Sequence, residues 1–122
     1  MVNLDGMLSI VMPAYNEEKL IYNSIKETLR IVEKFVPELE IVVVNDGSRD
    51  NTKSEIEKAV KEDDRVRMIS STKNRGKGNA IIAGVSQVEG KYVAFVDADL
   101  ELNPSQLEGY LQKMLDATLL LW

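Results

Sequence analysis

Apolar and polar positions along this chain alternate between two periods. Leu8 to Met12 is a short run rich in Ile and Val closed by Pro13, the pattern of a strand buried on both faces. Asn16 then reads as an N-cap with Glu17 and Glu18 in the first turn. Behind it Ile21, Ile25, Leu29, Val32 and Phe35 or Val36 recur at helical spacing as far as Pro37. The pair repeats. Ile41 to Val44 is solidly β-branched, Asn45-Asp46-Gly47-Ser48 is a turn signal, and Thr52 with Glu55 forms a capping box for a short helix carrying Ile56, Ala59 and Val60. Val66 to Ile69 predicts a third strand, followed by a polar loop from Ser70 to Gly78 and a helix with Ile81, Ile82, Val85 and Val88. Tyr92 to Val96 predicts the fourth strand, and Asn103-Pro104 opens a fourth helix on Leu107, Tyr110, Leu111, Met114 and Leu115.

Four strand–helix units in series predict an α/β fold, a three-layer α/β/α sandwich around a mainly parallel, Rossmann-like sheet, with residues 1–122 as one domain. The last six residues, Ala117 to Trp122, form an apolar end with no turn or cap behind it. They read as an element cut short, so the expectation is an apparently truncated chain. An apolar edge there would invite pairing with a second copy.

Composition narrows the chemistry by what is missing. The 122 residues contain no His and no Cys. Disulfides, thiolate nucleophiles, Cys/His zinc sites and Ser-His-Asp triads are therefore excluded, and any metal must take oxygen ligands, which suit hard cations such as Mg2+, Mn2+ or Ca2+. Fifteen Lys and Arg against 20 Asp and Glu leave a formal net charge of −5. That balance argues against nucleic acid as a partner, since neutralising phosphates needs a clustered cationic excess. The first residues lack the cationic region of a signal peptide, and no apolar run approaches the ~18 residues that span a bilayer, so the chain reads as soluble.

All four predicted strands end in polar, oxygen-rich or Gly-rich segments: Pro13-Ala14-Tyr15-Asn16-Glu17, Asn45-Asp46-Gly47-Ser48, Asn74-Arg75-Gly76-Lys77-Gly78-Asn79 and Asp97-Ala98-Asp99-Leu100-Glu101. In an open parallel sheet, ligands bind at the carboxyl ends of the strands, beside the point where strand order reverses. Asp97, Asp99 and Glu101 alternate, so on an extended backbone all three would point to one side and could share a divalent cation. The same acids also read as a solvated turn before a helix N-terminus. A Ca2+ loop is excluded because Leu102 stands where its glycine is needed. Gly47 to Ser54 misses the Walker pattern at Thr52, and Gly76-Lys77-Gly78 lacks the third glycine of a dinucleotide fingerprint, having Ile81 there. The Lys77 loop remains either a cationic, N–H-rich anion site or a flexible basic turn. Asp46 reads equally as an Asx-turn residue, Tyr15 as a half-buried aromatic, and Glu17 as a helix-dipole acid. A phosphorelay receiver fits the size, but its acidic pair after the first strand and its lone Asp after the third are absent.

In order and spacing, Ser9-Ile10-Val11-Met12-Pro13-Ala14-Tyr15-Asn16-Glu17, Val44-Asn45-Asp46-Gly47-Ser48 with Asp50 and Thr52, Asn74 to Ala80, and Asp97-Ala98-Asp99-Leu100 resemble the family 2 glycosyltransferases of the GT-A fold. Within that family the chain looks most similar to the dolichyl-phosphate mannose and glucose synthases. The resemblance covers Leu8 to about Leu115. It implies that Pro13, Tyr15 and Glu17 contact a nucleotide, Asp46 reads the base edge, and Lys77 and Gly78 lie along the donor. It further implies that the Asp97-Ala98-Asp99 motif holds ribose and a Mg2+ or Mn2+ on the diphosphate, with Glu101 as a further ligand where mannose synthases commonly carry an amide. The implied reaction transfers a hexose, with inversion, from a nucleoside-diphosphate sugar such as GDP-mannose or UDP-glucose to a polyprenyl phosphate. The implied location is cytoplasmic, at the membrane face. Family catalytic domains run well beyond this length and carry acceptor-binding residues in the further part. The alternative expectation is therefore a non-catalytic module or fragment that binds nucleotide sugar without transferring it.

Overall fold

The computed structural model describes residues 1–121, with side chains through residue 117. Trp122 and the side chains from residue 118 onward, on which self-pairing through the apolar end was expected, lie outside the described residues. The backbone up to Leu121 is helical, a continuation of the last helix rather than a strand edge.

Strands and helices alternate as the two periods predict: β1 (Leu8–Ala14), α1 (Ile21–Val32), β2 (Leu39–Asp46), α2 (Thr52–Glu62), β3 (Val66–Ser71), α3 (Lys77–Val85), β4 (Tyr92–Phe95) and α4 (Gln106–Leu121). Every strand pair is parallel, in the order β3-β2-β1-β4. The chain therefore builds outward from β1 through β2 to β3, then α3 carries it back across to place β4 on β1's other side. The reversal of strand order falls between β1 and β4, where the end of the sheet forms a crevice.

Both sheet faces are covered, which makes three layers. On one face Leu8, Ile10 and Met12 of β1 and Ile41 and Val43 of β2 pack with Ile21, Ile25, Leu29 and Val32 of α1, Ile56 and Ala59 of α2, and Leu111 of α4. On the other, Val11 and Val44 pack with Ala80 of α3. The contact stripe of α3 is made of small residues, not of the large ones its apolar spacing suggested. Ile82 is 69% exposed and Val85 is 40% exposed, whereas Ala80 and Gly84 are buried. A Cβ at Gly84 would overlap the Val11 side chain and lie 3.1 Å from Cγ2 of Val44. The helix is thus seated directly on the sheet.

Two expected caps are replaced by longer-range bonds. Asn16 is not the N-cap of α1, which starts at Ile21 with no side-chain cap, and residues 17–20 form a preceding turn. Asn16 instead has φ 52°, a left-handed conformation that Asn tolerates better than most residues. Thr52 is the first residue of α2, and its hydroxyl serves no capping box; it donates to Asp50 at 2.5 Å and accepts the Glu17 N–H at 2.8 Å.

Candidate functional site

Loops at the carboxyl end of the sheet are tied to one another by side-chain-to-backbone bonds. Asn16 N–H donates to Ser48 Oγ at 3.0 Å, and Asn16 Oδ1 accepts the Arg49 N–H at 2.9 Å. Glu18 N–H donates to Asp50 Oδ2, while Glu18 Oε2 accepts the Asn51 N–H. Together with the Glu17–Thr52 bond these reciprocal pairs clasp the β1–α1 turn to the β2–α2 turn. Ser48, Asp50 and Thr52 therefore build the site's frame.

A second clasp joins β2 to the loop before α3. Asp46 is 5% exposed, and its two carboxylate oxygens accept the Arg75 N–H at 2.9 Å and the Gly76 N–H at 3.0 Å. Asn74 Nδ2 donates to the Asp46 carbonyl at 3.2 Å. The same approach explains Gly47. It has φ 68°, and a Cβ there would overlap the backbone of Lys73 and Asn74, so no larger residue fits. Each Asp46 oxygen keeps a second lone pair for another donor.

After β4 the chain turns. Leu100 N–H donates to the Asp97 carbonyl at 3.0 Å, Leu100 has φ 53°, and Glu101 N–H donates to Asp99 Oδ1 at 3.0 Å. Ala98 is buried, and its carbonyl accepts the Ser24 hydroxyl from α1. The extended alternation expected for Asp97, Asp99 and Glu101 is thus replaced by a tight turn anchored from beneath. Among the described residues no three carboxylates converge closely enough to form a ready-made metal cluster, so the expected three-carboxylate metal set is not assembled as such.

The three acids nevertheless reach one cavity. It has a volume of about 550 Å3. Pro13, Ala14, Tyr15 and Glu17 wall it from β1 and its turn, and Asp46 from the end of β2. Asn74, Gly76, Lys77 and Ala80 close it from the β3–α3 side, and Asp97, Ala98, Asp99 and Glu101 from beyond β4. Every residue for which the sequence resemblance implied a ligand contact is on this wall except Gly78, which lies on the exposed first turn of α3 with nothing within 4 Å of a Cβ position. Sequence reading missed Ser24, whose only signal was a polar residue on the apolar stripe of α1, and gave Asn74, Gly76 and Ala80 no individual role.

Charge inside the cavity is only partly balanced. Lys77 Nζ lies 2.7 Å from Asp97 Oδ1, and this hydrogen bond and ion pair raises the Lys77 ammonium above its ordinary pKa. Neither Asp99 nor Glu101 has an ion-pair partner among the described residues. Glu17 is pushed above the usual carboxylate range, first by burial and then by the negative charges of Asp99 and Asp50. Uncompensated carboxylates facing a shared space, with oxygen as the only strong donor atom, fit a hard divalent cation.

Comparison with known proteins follows the same lines. The family described as "Glycosyl transferase family 2" matches residues 9–120. The dolichyl-phosphate beta-glucosyltransferase of Saccharomyces cerevisiae is 38% identical over 116 residues, covering 90% of this chain and 34% of the relative. Among solved structures, the mannosyltransferase of Pyrobaculum calidifontis in complex with GDP-Man and Mn2+ has a TM-score of 0.74 at 25% identity, over 86% of this chain and 31% of that one. TarS of S. aureus in complex with UDP-GlcNAc has a TM-score of 0.71 at 30% identity, over 85% of this chain and 30% of that one. The chain spans about a third of the length of the curated relatives it matches.

Proposed function

The chain is a member of glycosyl transferase family 2, with the GT-A architecture, and from that premise we propose that residues 1–122 form the nucleotide-sugar-binding part, the N-terminal half of the GT-A domain, of an inverting hexosyltransferase. The observation that carries the reading is the convergence of all four strand-end motifs, spread from Pro13 to Glu101, on one cavity at the strand-order reversal.

In this reading the nucleotide base lies between Pro13 and the half-exposed Tyr15 ring, with Asp46 accepting from the base edge through the lone pairs its loop contacts leave. Lys77 and the first-turn N–H groups of α3, including that of Gly78, face the diphosphate, where a helix N-terminus favours anions. Asp97 and Asp99 hold ribose and cation, with Glu101 and Glu17 adding negative charge at the rim. A Mg2+ or Mn2+ so held supplies neutralisation of charge on the departing nucleoside diphosphate. The fixed wall then orients the sugar for direct displacement. The acceptor is a polyprenyl phosphate, whose oxygen is already anionic and so needs no general base to activate it. No described helix is long and apolar enough to cross a membrane. The reading places these residues against the cytoplasmic membrane surface because a polyprenyl-phosphate acceptor would be presented there.

In a second reading these residues bind the donor without transferring it. A thermal-shift panel of UDP- and GDP-sugars with and without Mn2+ tests the shared premise. Metal-dependent stabilisation by one donor, about 2.7 kcal/mol at a hundredfold excess over Kd, is the expected result. No shift with any donor refutes both readings. Isotopic sugar transfer to a polyprenyl phosphate separates them, since binding without transfer selects the module.

A further inference from the structure

An ion pair between Lys77 and Asp97 stands inside the cavity. Lys77 Nζ sits 2.7 Å from Asp97 Oδ1, and both side chains are substantially exposed, so the pair is held by mutual attraction rather than by packing. Lys77 is the first residue of α3 and lies on the cavity wall opposite the carboxylate turn. Its ammonium therefore offsets the charge of a carboxylate that would otherwise attract a divalent cation. A diphosphate at the N-terminus of α3 would offer the same ammonium a second set of anionic oxygens.

We propose that Lys77 is an exchangeable counter-ion: it blocks Asp97 until a nucleoside diphosphate draws it away, so that a divalent cation binds tightly only after or together with the nucleotide. This rests on the nucleotide-sugar reading and adds to it an internal competitor for the cation. The ammonium neutralises Asp97 in the empty cavity and the diphosphate in the filled one. Two cationic charges compete for one carboxylate in the first state and share a more negative site in the second. Positive coupling between nucleotide and cation follows, because each ligand removes an obstacle to the other.

The test measures Mn2+ binding to the intact chain, by loss of the free-ion paramagnetic resonance signal, without nucleotide and with saturating UDP or GDP. Lys77→Gln is expected to bind Mn2+ alone about threefold to tenfold more tightly than wild type, at low salt. Its further gain on adding nucleotide should be smaller than that of wild type. Lys77→Arg keeps the charge and should keep the weak metal-only binding. If UDP or GDP stabilises wild type normally while Lys77→Gln leaves Mn2+ affinity in the nucleotide-free chain unchanged or weaker, the exchange is overturned and the donor site stands. If neither nucleotide binds wild type with or without Mn2+, the donor-site reading fails, and the exchange fails with it.

Discussion

Two carboxylates at opposite ends of the same sheet, Glu40 and Glu17, are held in opposite ways. Near the amino end, Glu40 of β2 is 5% exposed and fully engaged: Ser9 Oγ donates at 2.6 Å, the Glu89 N–H at 2.7 Å, and Arg67 at 2.8 and 3.1 Å. Burial alone would raise its pKa, yet these donors hold the carboxyl below its ordinary value. Ser9 also accepts the Gly90 N–H at 2.8 Å, so the network ties β1, β2, β3 and the approach to β4 together. At the carboxyl end, Glu17 is raised by burial and by Asp99 and Asp50. A scaffold carboxylate brings its own donors. A carboxylate that awaits a ligand leaves its charge uncompensated, and that imbalance marks a functional site.

The contrast is open to direct attack, beginning where the effect is largest. Asp99→Ala should lower cation-dependent nucleotide affinity by about 100-fold, measured by calorimetry with Mn2+, while shifting Tm by less than about 2 °C because the side chain faces solvent. Global unfolding of that variant would instead make the turn a structural element. Glu40→Ala should do the reverse. Leaving Arg67 and Ser9 without their partner costs about 2 kcal/mol in denaturant unfolding, with donor affinity nearly unchanged.

Smaller effects separate the two ends by pH. Because the folded pKa of Glu40 is depressed, its contribution is present above the unfolded carboxylate value and is lost as pH falls through the folded one. Wild type should therefore lose stability in urea below about pH 4.5, and Glu40→Gln should flatten that acid limb. Glu17 has the opposite sign: its raised pKa means its protonated form is favoured in the fold, with stability present at low pH and lost as pH rises through the raised value. Glu17→Gln should thus raise Tm at neutral pH by about 1 °C while weakening Mn2+-dependent nucleotide binding. A Glu17→Gln variant less stable than wild type at pH 7 would erase the distinction between the ends.

Much of this was legible in the chain because the signals are local. Runs such as Ile41 to Val44 can hardly be anything but buried strand, and four polar segments each following a strand point to one end of a parallel sheet. What escaped depends on partners distant in sequence. Asn16 looks like a helix cap until Ser48 and Arg49 are brought beside it, and Asp46 looks like a turn residue until Arg75 and Gly76 donate to it. The acidic alternation after β4 gives no sign that Ser24 will hold the Ala98 carbonyl and that the chain will turn at Leu100. On α3, hydropathy favoured Ile82, whereas the close approach to Val11 selects the smallest side chains.

That seat has a mechanical consequence. Gly84 lies seven residues along α3 from Lys77, about 10 Å at the rise of an α-helix. With no side chain to act as a shim, the helix rests on Val11, and the attitude of its far tip follows from that bearing point. One added methyl group at position 84 would meet Val11 Cγ1 at 2.4 Å, so either that side chain or the helix must give way, and any shift of the helix is passed along the rod to the backbone that carries Lys77.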